Sequence, residues 1–487
     1  MKIQLKDFQI EAVDRLSVLL GSASVEAAAG EPQAIVLSAP TGSGKTVMAT
    51  ALIEGLFRGD EEREPDNRAT VLWITRAPDL NEQTRDKMME TSDVLGWSSV
   101  EIIESSFDEP AFLPGRVYFL NTDKLAKHGR LTQYGDRRTY TIWDTIRNTL
   151  EAAGAGHFYL FIDEAHQGMR EADNGRADPQ TIIQKFIKGS PAEVVPIPLI
   201  IGISATPDRF TLLLSGTSRT LRPVTIEPEA VRESGLLKEI ITLYNPSDDQ
   251  PGDISMLRAA AREWQAYTTR WNEYVDTEGE KPVVPVLVVQ VKDATKTRIT
   301  ATSLGTVIDA VNDEVGPLPP AAFSHSFQEG EGIVESGHEI RYLAPAQITH
   351  DRDVKVVLFK SALSTGWDCP RAEVMLSFRK VIDETLIAQL VGRMVRAPLA
   401  RRVDADEFLN TVSLYLPEYD QAGLAKVIER LSSGDPALVP PTRARAGTER
   451  QSLNRRSDSD AMFDALEAIP SFSVPKHRKT SQIRRLM

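Results

Sequence analysis

Short apolar runs and amphipathic segments alternate through most of the chain. Ala34-Ile35-Val36-Leu37, Val71-Leu72-Trp73-Ile74, Val117-Tyr118-Phe119-Leu120, Phe158 to Ile162 and Leu199 to Ile203 are continuous apolar runs. Runs this short, without polar alternation, predict strands buried on both faces. Segments of helical period lie between them. Leu5, Phe8, Ala12, Leu16 and Leu19 share one face before the first strand, and Met48, Leu52 and Leu56 share one after it. A further helix runs to about Ala153. Ala27 to Pro32 reads as a loop, and the charged run Asp60 to Arg68 as a solvated connection. Four of the strands close on polar groups: Thr75-Arg76, Asn121-Thr122, Asp163-Glu164-Ala165-His166 and Ser204-Ala205-Thr206-Pro207. Strands alternating with helices predict an α/β fold with a parallel sheet and its ligand at the carboxyl edge. The first domain spans 1–230.

The stretch 231–282 reads as a helical connection holding one long helix. Leu257, Trp264, Trp271 and Val275 recur on it near heptad spacing, as packing or, alternatively, as a strand-separating wedge. A second α/β unit, 283–433, follows. It has strands at Pro285 to Val289, Val354 to Phe359, Val374 to Phe378 and Val412 to Leu416. Helices are expected near 299–315 and from Thr385 to Val395, and a loop over 316–338. The tail 434–487 carries Pro436, Pro440, Pro441 and an excess of basic over acidic residues. It reads as a linker and a weakly structured basic segment. It stops at Met487 without a helix cap, which leaves room for further chain.

Composition narrows the class. A chain of 487 residues holds several domains, and 41% hydrophobic with 26% charged residues is ordinary for a soluble globular protein. No apolar run has the length of a membrane span, and the N-terminus lacks a signal-peptide core. A single cysteine, Cys369, excludes an intrachain disulfide and fits a reducing cytoplasm. The net charge of −13 excludes a basic coat. It leaves room for a local positive groove on nucleic acid.

The chemistry centres on Ala39-Pro40-Thr41-Gly42-Ser43-Gly44-Lys45-Thr46, set between the first strand and its helix. Gly42 and Gly44 let successive N–H groups converge on one anion at a helix N-terminus. Lys45 would reach the β- and γ-phosphates and the Thr46 hydroxyl would ligate Mg²⁺, so a nucleoside triphosphate is the expected ligand. Ala39 stands where the general pattern has glycine. Asp163, closing its own strand, would hold Mg²⁺ opposite Thr46, and Glu164 would orient and deprotonate the attacking water. His166 could relay between nucleotide and polymer through Ser204 and Thr206, or simply cap a strand end. Further on, Gln389, Arg393 and Arg396 fall at i, i+4 and i+7, on one helical face. Their guanidinium groups suit a γ-phosphate whose charge spreads during transfer.

Taken in order, these motifs resemble those of superfamily 2 helicases. They are Phe8-Gln9, Ala39–Thr46, Trp73–Thr75, Asn121-Thr122, Asp163–His166, Ser204–Thr206, Ser364-Thr365-Gly366-Trp367-Asp368 and Gln389–Arg396. Gly366 to Ala372 followed by Gln389–Arg396 looks most like the helicase subunits of type III restriction enzymes and related phage-defence helicases. The resemblance implies two tandem RecA-like domains with an ATP cleft between them and a nucleic-acid strand across their top. It implies that Phe8 and Gln9 serve the nucleotide, Gln9 at the adenine edge, and that Gly366 and Asp368 lie near the ribose or γ-phosphate. It also implies that Arg76, Asn121, Thr122 and Thr365 touch the sugar–phosphate backbone, with ordinary strand-end capping the alternative for them.

Asp353-Val354-Lys355 holds an acidic-x-Lys fragment but heads an expected core strand, so no nuclease site is read here. The seven histidines are scattered and form no zinc set. The expected activity is that of an ATP- and Mg²⁺-dependent DNA translocase serving restriction or antiviral defence, with partner subunits. An RNA helicase and a nucleotide-gated nucleic-acid clamp are the alternatives.

Overall fold

In the computed structural model the first sheet has seven strands. They are β1 (Gln33–Ser38), β2 (Thr70–Thr75), β3 (Val100–Ile102), β4 (Arg116–Asn121), β5 (Phe158–Asp163), β6 (Leu199–Ser204) and β7 (Thr220–Thr225). Their order is β3-β4-β2-β5-β6-β1-β7, and every neighbouring pair is parallel. The described residues are 1–447 except 61–62, 76–77, 126–128, 135–137, 164–181, 191–193, 206, 247–251, 296–297, 328–329, 361–366, 368, 380–391, 393, 420 and 433–441. Residues Met1–Gly447 form one compact unit.

The five apolar runs are β1, β2, β4, β5 and β6. β1, β2 and β6 are buried at every position, as strands covered on both faces must be. Trp73 of β2 stacks on Phe161 of β5 with centroids 5.4 Å apart and planes within 10°. Such a pair adds about 1 kcal/mol beyond its buried area. β3 and β7 lie at the edges, where apolar runs are not required. β7 even carries Pro223, whose missing N–H is tolerated only at an edge. Helix α1 (Asp7–Ala28) buries Ala12, Leu16, Leu20, Ala23 and Ala27. Its first turn is capped by Gln9, whose Oε1 accepts the Lys6 N–H at 3.0 Å.

The second sheet has nine strands. They are β8 (Ile240–Tyr244), β9 (Val286–Gln290), β10 (Phe323–His325), β11 (Ile333–Glu335), β12 (His338–Tyr342), β13 (Val356–Phe359), β14 (Ala372–Ser377), β15 (Thr411–Tyr415) and β16 (Arg443–Ala446). Their order is β11-β12-β10-β13-β9-β14-β15-β8-β16, parallel throughout except for the β11–β12 hairpin. The two sheets make tandem RecA-like units. The stretch 231–282 therefore holds, besides its long helix Gly252–Glu278, a strand that pairs with β15. The tail contributes β16, which borders β8. The loop expected over 316–338 contains β10 and β11. β10, β11 and β16 are short or carry polar residues, so they lack the apolar signal, whereas β8 (Ile240-Ile241-Thr242-Leu243-Tyr244) does carry an apolar run inside the stretch read as a connection.

The tryptophan stripe is packing. Leu257, Trp264 and Trp271 are buried, Trp264 Nε1–H donates to the Pro285 carbonyl at 3.0 Å, and Trp271 Nε1–H to Glu373 at 2.9 Å. The described residues at the end of the Ser364–Asp368 motif and just after it are structural. Trp367 and Cys369 are buried, and Arg371 spreads its guanidinium over the carbonyls of Val284 (2.9 Å), Ile348 (2.7 Å), Val354 (3.0 Å) and Asp351. Five fixed donors make arginine the side chain able to do this. Val354 is buried ahead of β13, as its place before a core strand requires.

The long helix also carries Glu263, which accepts from Ser413 Oγ at 2.8 Å and Tyr415 Oη at 2.5 Å. Burial raises its carboxyl above the ordinary value of 4.5, against the opposing pull of these hydroxyls. A raised carboxyl stabilises the fold fully below its unfolded value and loses that contribution as pH rises through the folded one. Parent stability measured against Glu263→Gln should thus decline as pH is raised above 4.5. Denaturation midpoints that run parallel in the two proteins across that range would disprove it. Among the described residues, no helix is long and apolar enough to cross a membrane.

Candidate nucleotide site

The strand β1 ends at Ser38 and helix α2 (Lys45–Arg58) begins seven residues later, so residues 39–44 must turn sharply. Gly42 (φ +85°) and Gly44 (φ +83°) supply the left-handed backbone, Gly44 as the cap of α2. Both are also needed for space. A Cβ on Gly44 would stand 2.5 Å from Gln9 Nε2, and one on Gly42 would stand 2.7 Å from Leu237 Cδ2. Ala39, in place of glycine, is accommodated: it is 1% exposed and packs into the core. Its N–H donates to the Ser204 carbonyl at 3.1 Å, which ties the loop to β6.

Gln9 is buried and links α1 to the loop. Its Nε2 donates to the Ser43 carbonyl at 2.8 Å while its Oε1 holds the Lys6 N–H. The amide retains a second N–H and a second lone pair, the capacity an adenine edge would need. Lys45 Nζ turns back over the loop and donates to the carbonyls of Ala39 (3.1 Å) and Pro40 (3.3 Å). Ser43 is fully buried, and its Oγ has no hydrogen-bond partner among the described residues. Thr41 and Thr46 are half-buried, Pro40 and Gly42 buried, and Phe8 packs against the core from α1. A helix N-terminus, a loop with two left-handed glycines and a cation over it together suit the phosphates of a nucleotide.

The sheet brings further expected residues to the same edge. Asp163 ends β5 opposite Ile203, and Ser204 ends β6 opposite Ser38. Asn121 ends β4 but is fully buried, and its Oδ1 accepts the Asp123 N–H at 2.6 Å, the capping arrangement. Thr122 opens the 3₁₀ turn after it and is half-buried. Arg396 approaches from the second sheet, bridged to Leu237. Glu164, His166, Thr206, Arg76, Thr365, Gly366, Asp368, Gln389 and Arg393 lie outside the described residues. Sequence reasoning missed Leu237, which seats on Gly42, and Lys238, which anchors it. An isolated Leu-Leu-Lys carries no periodic signal.

A phosphate loop on the first of two RecA-like sheets, with a carboxylate at the same strand edge, is an arrangement that suits a nucleotide. Residues 2–209 match the family described as "Type III restriction enzyme, res subunit", so the part of the chain that holds the phosphate loop is similar to that family. No curated protein matches the chain. Among solved structures, it is similar to S. cerevisiae Dbp5 bound to RNA and ADP BeF3, at 11% identity over 95% of this chain and 93% of that one, with a TM-score of 0.47. It is also similar to a fragment of a putative HsdR subunit of a type I restriction enzyme from Vibrio vulnificus YJ016. There the identity is 14%, over 90% of this chain and 67% of that one, with a TM-score of 0.41. The type ISP restriction-modification enzyme LlaBIII bound to DNA matches at 12% identity over 96% of this chain and 32% of that one, with a TM-score of 0.44.

Proposed function

We propose that the chain is an ATP-hydrolysing translocase on DNA, serving a restriction or phage-defence system together with partner subunits. The observation that carries this is the phosphate loop, held by Gln9 from α1 and contacted by Leu237 from the arginine-bearing side. The family match over residues 2–209 supports DNA as the polymer. On this reading the first unit runs to about residue 230. The second begins with the segment Leu236–Lys238 and takes in β8 and β16, and the residues after 447 are a basic tail.

The residues divide the work as follows. The loop N–H groups and Lys45 bind the β- and γ-phosphates, and Gln9 favours adenine. Glu164 orients the attacking water and takes its proton. Arg393 and Arg396 stabilise charge on the transferring phosphoryl group, with Gln389 beside them. Thr46 and Asp163 offer a hydroxyl and a carboxylate, the hard oxygen donors Mg²⁺ prefers, and would hold it. When bound, that ion neutralises charge on the phosphate oxygens. Gly366 and Asp368 are assigned to the ribose or γ-phosphate by the resemblance alone. His166, Ser204 and Thr206 couple the nucleotide to the polymer, whose backbone is assigned to Arg76, Thr122 and Thr365, while the buried Asn121 caps its strand end.

The deciding experiment is steady-state ATP hydrolysis by the 487-residue chain with no polymer, single-stranded DNA, duplex DNA and RNA. Duplex DNA should stimulate turnover and remain uncut. The stimulation should fall steeply with added salt, because contacts to phosphate release counterions. Stimulation by RNA and not by DNA would replace this reading with an RNA helicase. Polymer binding without turnover would leave a clamp.

A further inference from the structure

Residues Leu236–Lys238 touch both halves of the proposed site. Leu237, 3% exposed, places Cδ2 only 2.7 Å from where a Cβ on Gly42 would stand. The same residue forms an antiparallel bridge with Arg396. On either side of that bridge the Lys238 N–H donates to the Val395 carbonyl at 2.6 Å and the Ala397 N–H to the Leu236 carbonyl at 3.0 Å. The clip is fastened to the second sheet. Lys238 Nζ pairs with Glu373 at 2.5 Å with both side chains fully buried, and the Glu239 N–H donates to the Asn410 carbonyl at 2.8 Å. The main chain of Arg396 is thus fixed to the second sheet by hydrogen bonds, while the apolar end of the Leu237 side chain seats the clip on the phosphate loop.

We propose that Leu237 is a positioning residue for phosphoryl transfer: seated on Gly42 and bridged to Arg396, it sets the separation between phosphate loop and arginine segment. The proposal rests on the reading of Arg396 as a group acting on the γ-phosphate. A methyl group on a glycine suits the task. The contact breaks no hydrogen bond when the units part, yet close packing gives it one preferred distance when they close. Gly42 is part of the device, because any side chain there would occupy the seat.

The test compares the parent chain with Leu237→Ala, Leu237→Met, Arg396→Ala and the double variant L237A/R396A, all with duplex DNA. It reads ATP turnover, affinity for a fluorescent ATP analogue and melting temperature. Misplacement by about 1 Å can cost about 100-fold, so L237A should lower kcat by about 10- to 100-fold. Affinity should stay within about threefold, as expected of a group acting in the transition state. L237M should recover most of the loss. In the R396A background L237A should have no further effect on kcat, because Leu237 acts through Arg396. Losses that multiply in the double variant would overturn the proposal and leave Arg396's role standing. A lowered melting temperature with parental kcat would also overturn it, by reducing Leu237 to packing. Parental kcat in R396A alone would instead remove the reading of Arg396, and the proposal with it.

Discussion

Lys45→Ala should abolish ATP turnover while the fold survives. The side chain is half-buried at the start of α2, and it reaches back to the carbonyls of Ala39 and Pro40 across the loop. Removing it takes a positive charge from the place where the terminal phosphates would gather on the proposed reading, and leaves the core of the sheet untouched. Loss of one preorganised electrostatic partner costs about 10²- to 10³-fold, and this one serves ground state and transition state alike. Both ATP affinity and kcat should therefore fall, with an unchanged melting temperature. Glu164→Gln provides the contrast. A carboxylate that only activates water should leave ATP binding intact and remove hydrolysis, trapping a complex with ATP on nucleic acid. If the two variants lost ATP binding equally, Glu164 would not be the base.

Breaking the buried pair between Lys238 and Glu373 should be the largest single-residue loss of stability outside the apolar core. Both side chains are fully buried, and Glu373 also accepts the Trp271 N–H. Burial raises the Glu373 carboxyl above its ordinary value, against the pull of Lys238 and Trp271. Removing one partner strands a charge in the interior, which typically costs about 3–5 kcal/mol. Lys238→Met and Glu373→Gln should each lower the unfolding free energy, measured by denaturant titration, by an amount of that order. The double variant K238M/E373Q has no stranded charge and keeps an acceptor for Trp271, so it should lie within about 2 kcal/mol of the parent. A double variant whose loss equals the sum of the singles would show that the two residues do not act as a pair.

Sequence by itself determined the central strands and the loop. Six-residue strands buried on both faces need an apolar centre, so β1, β2, β4, β5 and β6 stand out as runs with polar residues only at their ends. A turn that carries a phosphate loop needs glycine at left-handed positions, so Gly42 and Gly44 could be read without coordinates. The helical spacing of Leu257, Trp264 and Trp271 likewise placed a buried stripe, though whether it packed or projected depended on what covered it.

Tertiary structure decided the rest, because those features depend on partners distant in the chain. Edge strands such as β3, β7 and β16 are held by main-chain hydrogen bonds to a neighbour and need no apolar pattern, so they left no signal. β8 joins the second sheet because β15, about 170 residues later, offers it an edge. Gln9 was expected at the nucleotide from the sequence, but its grip on the Ser43 carbonyl arises only when α1 packs beside the loop. Leu237 shows the limit most plainly. Its neighbours along the chain describe an ordinary apolar residue after a glycine. Its role comes from two contacts, with Gly42 far upstream and Arg396 far downstream, and only the folded chain brings those three residues together.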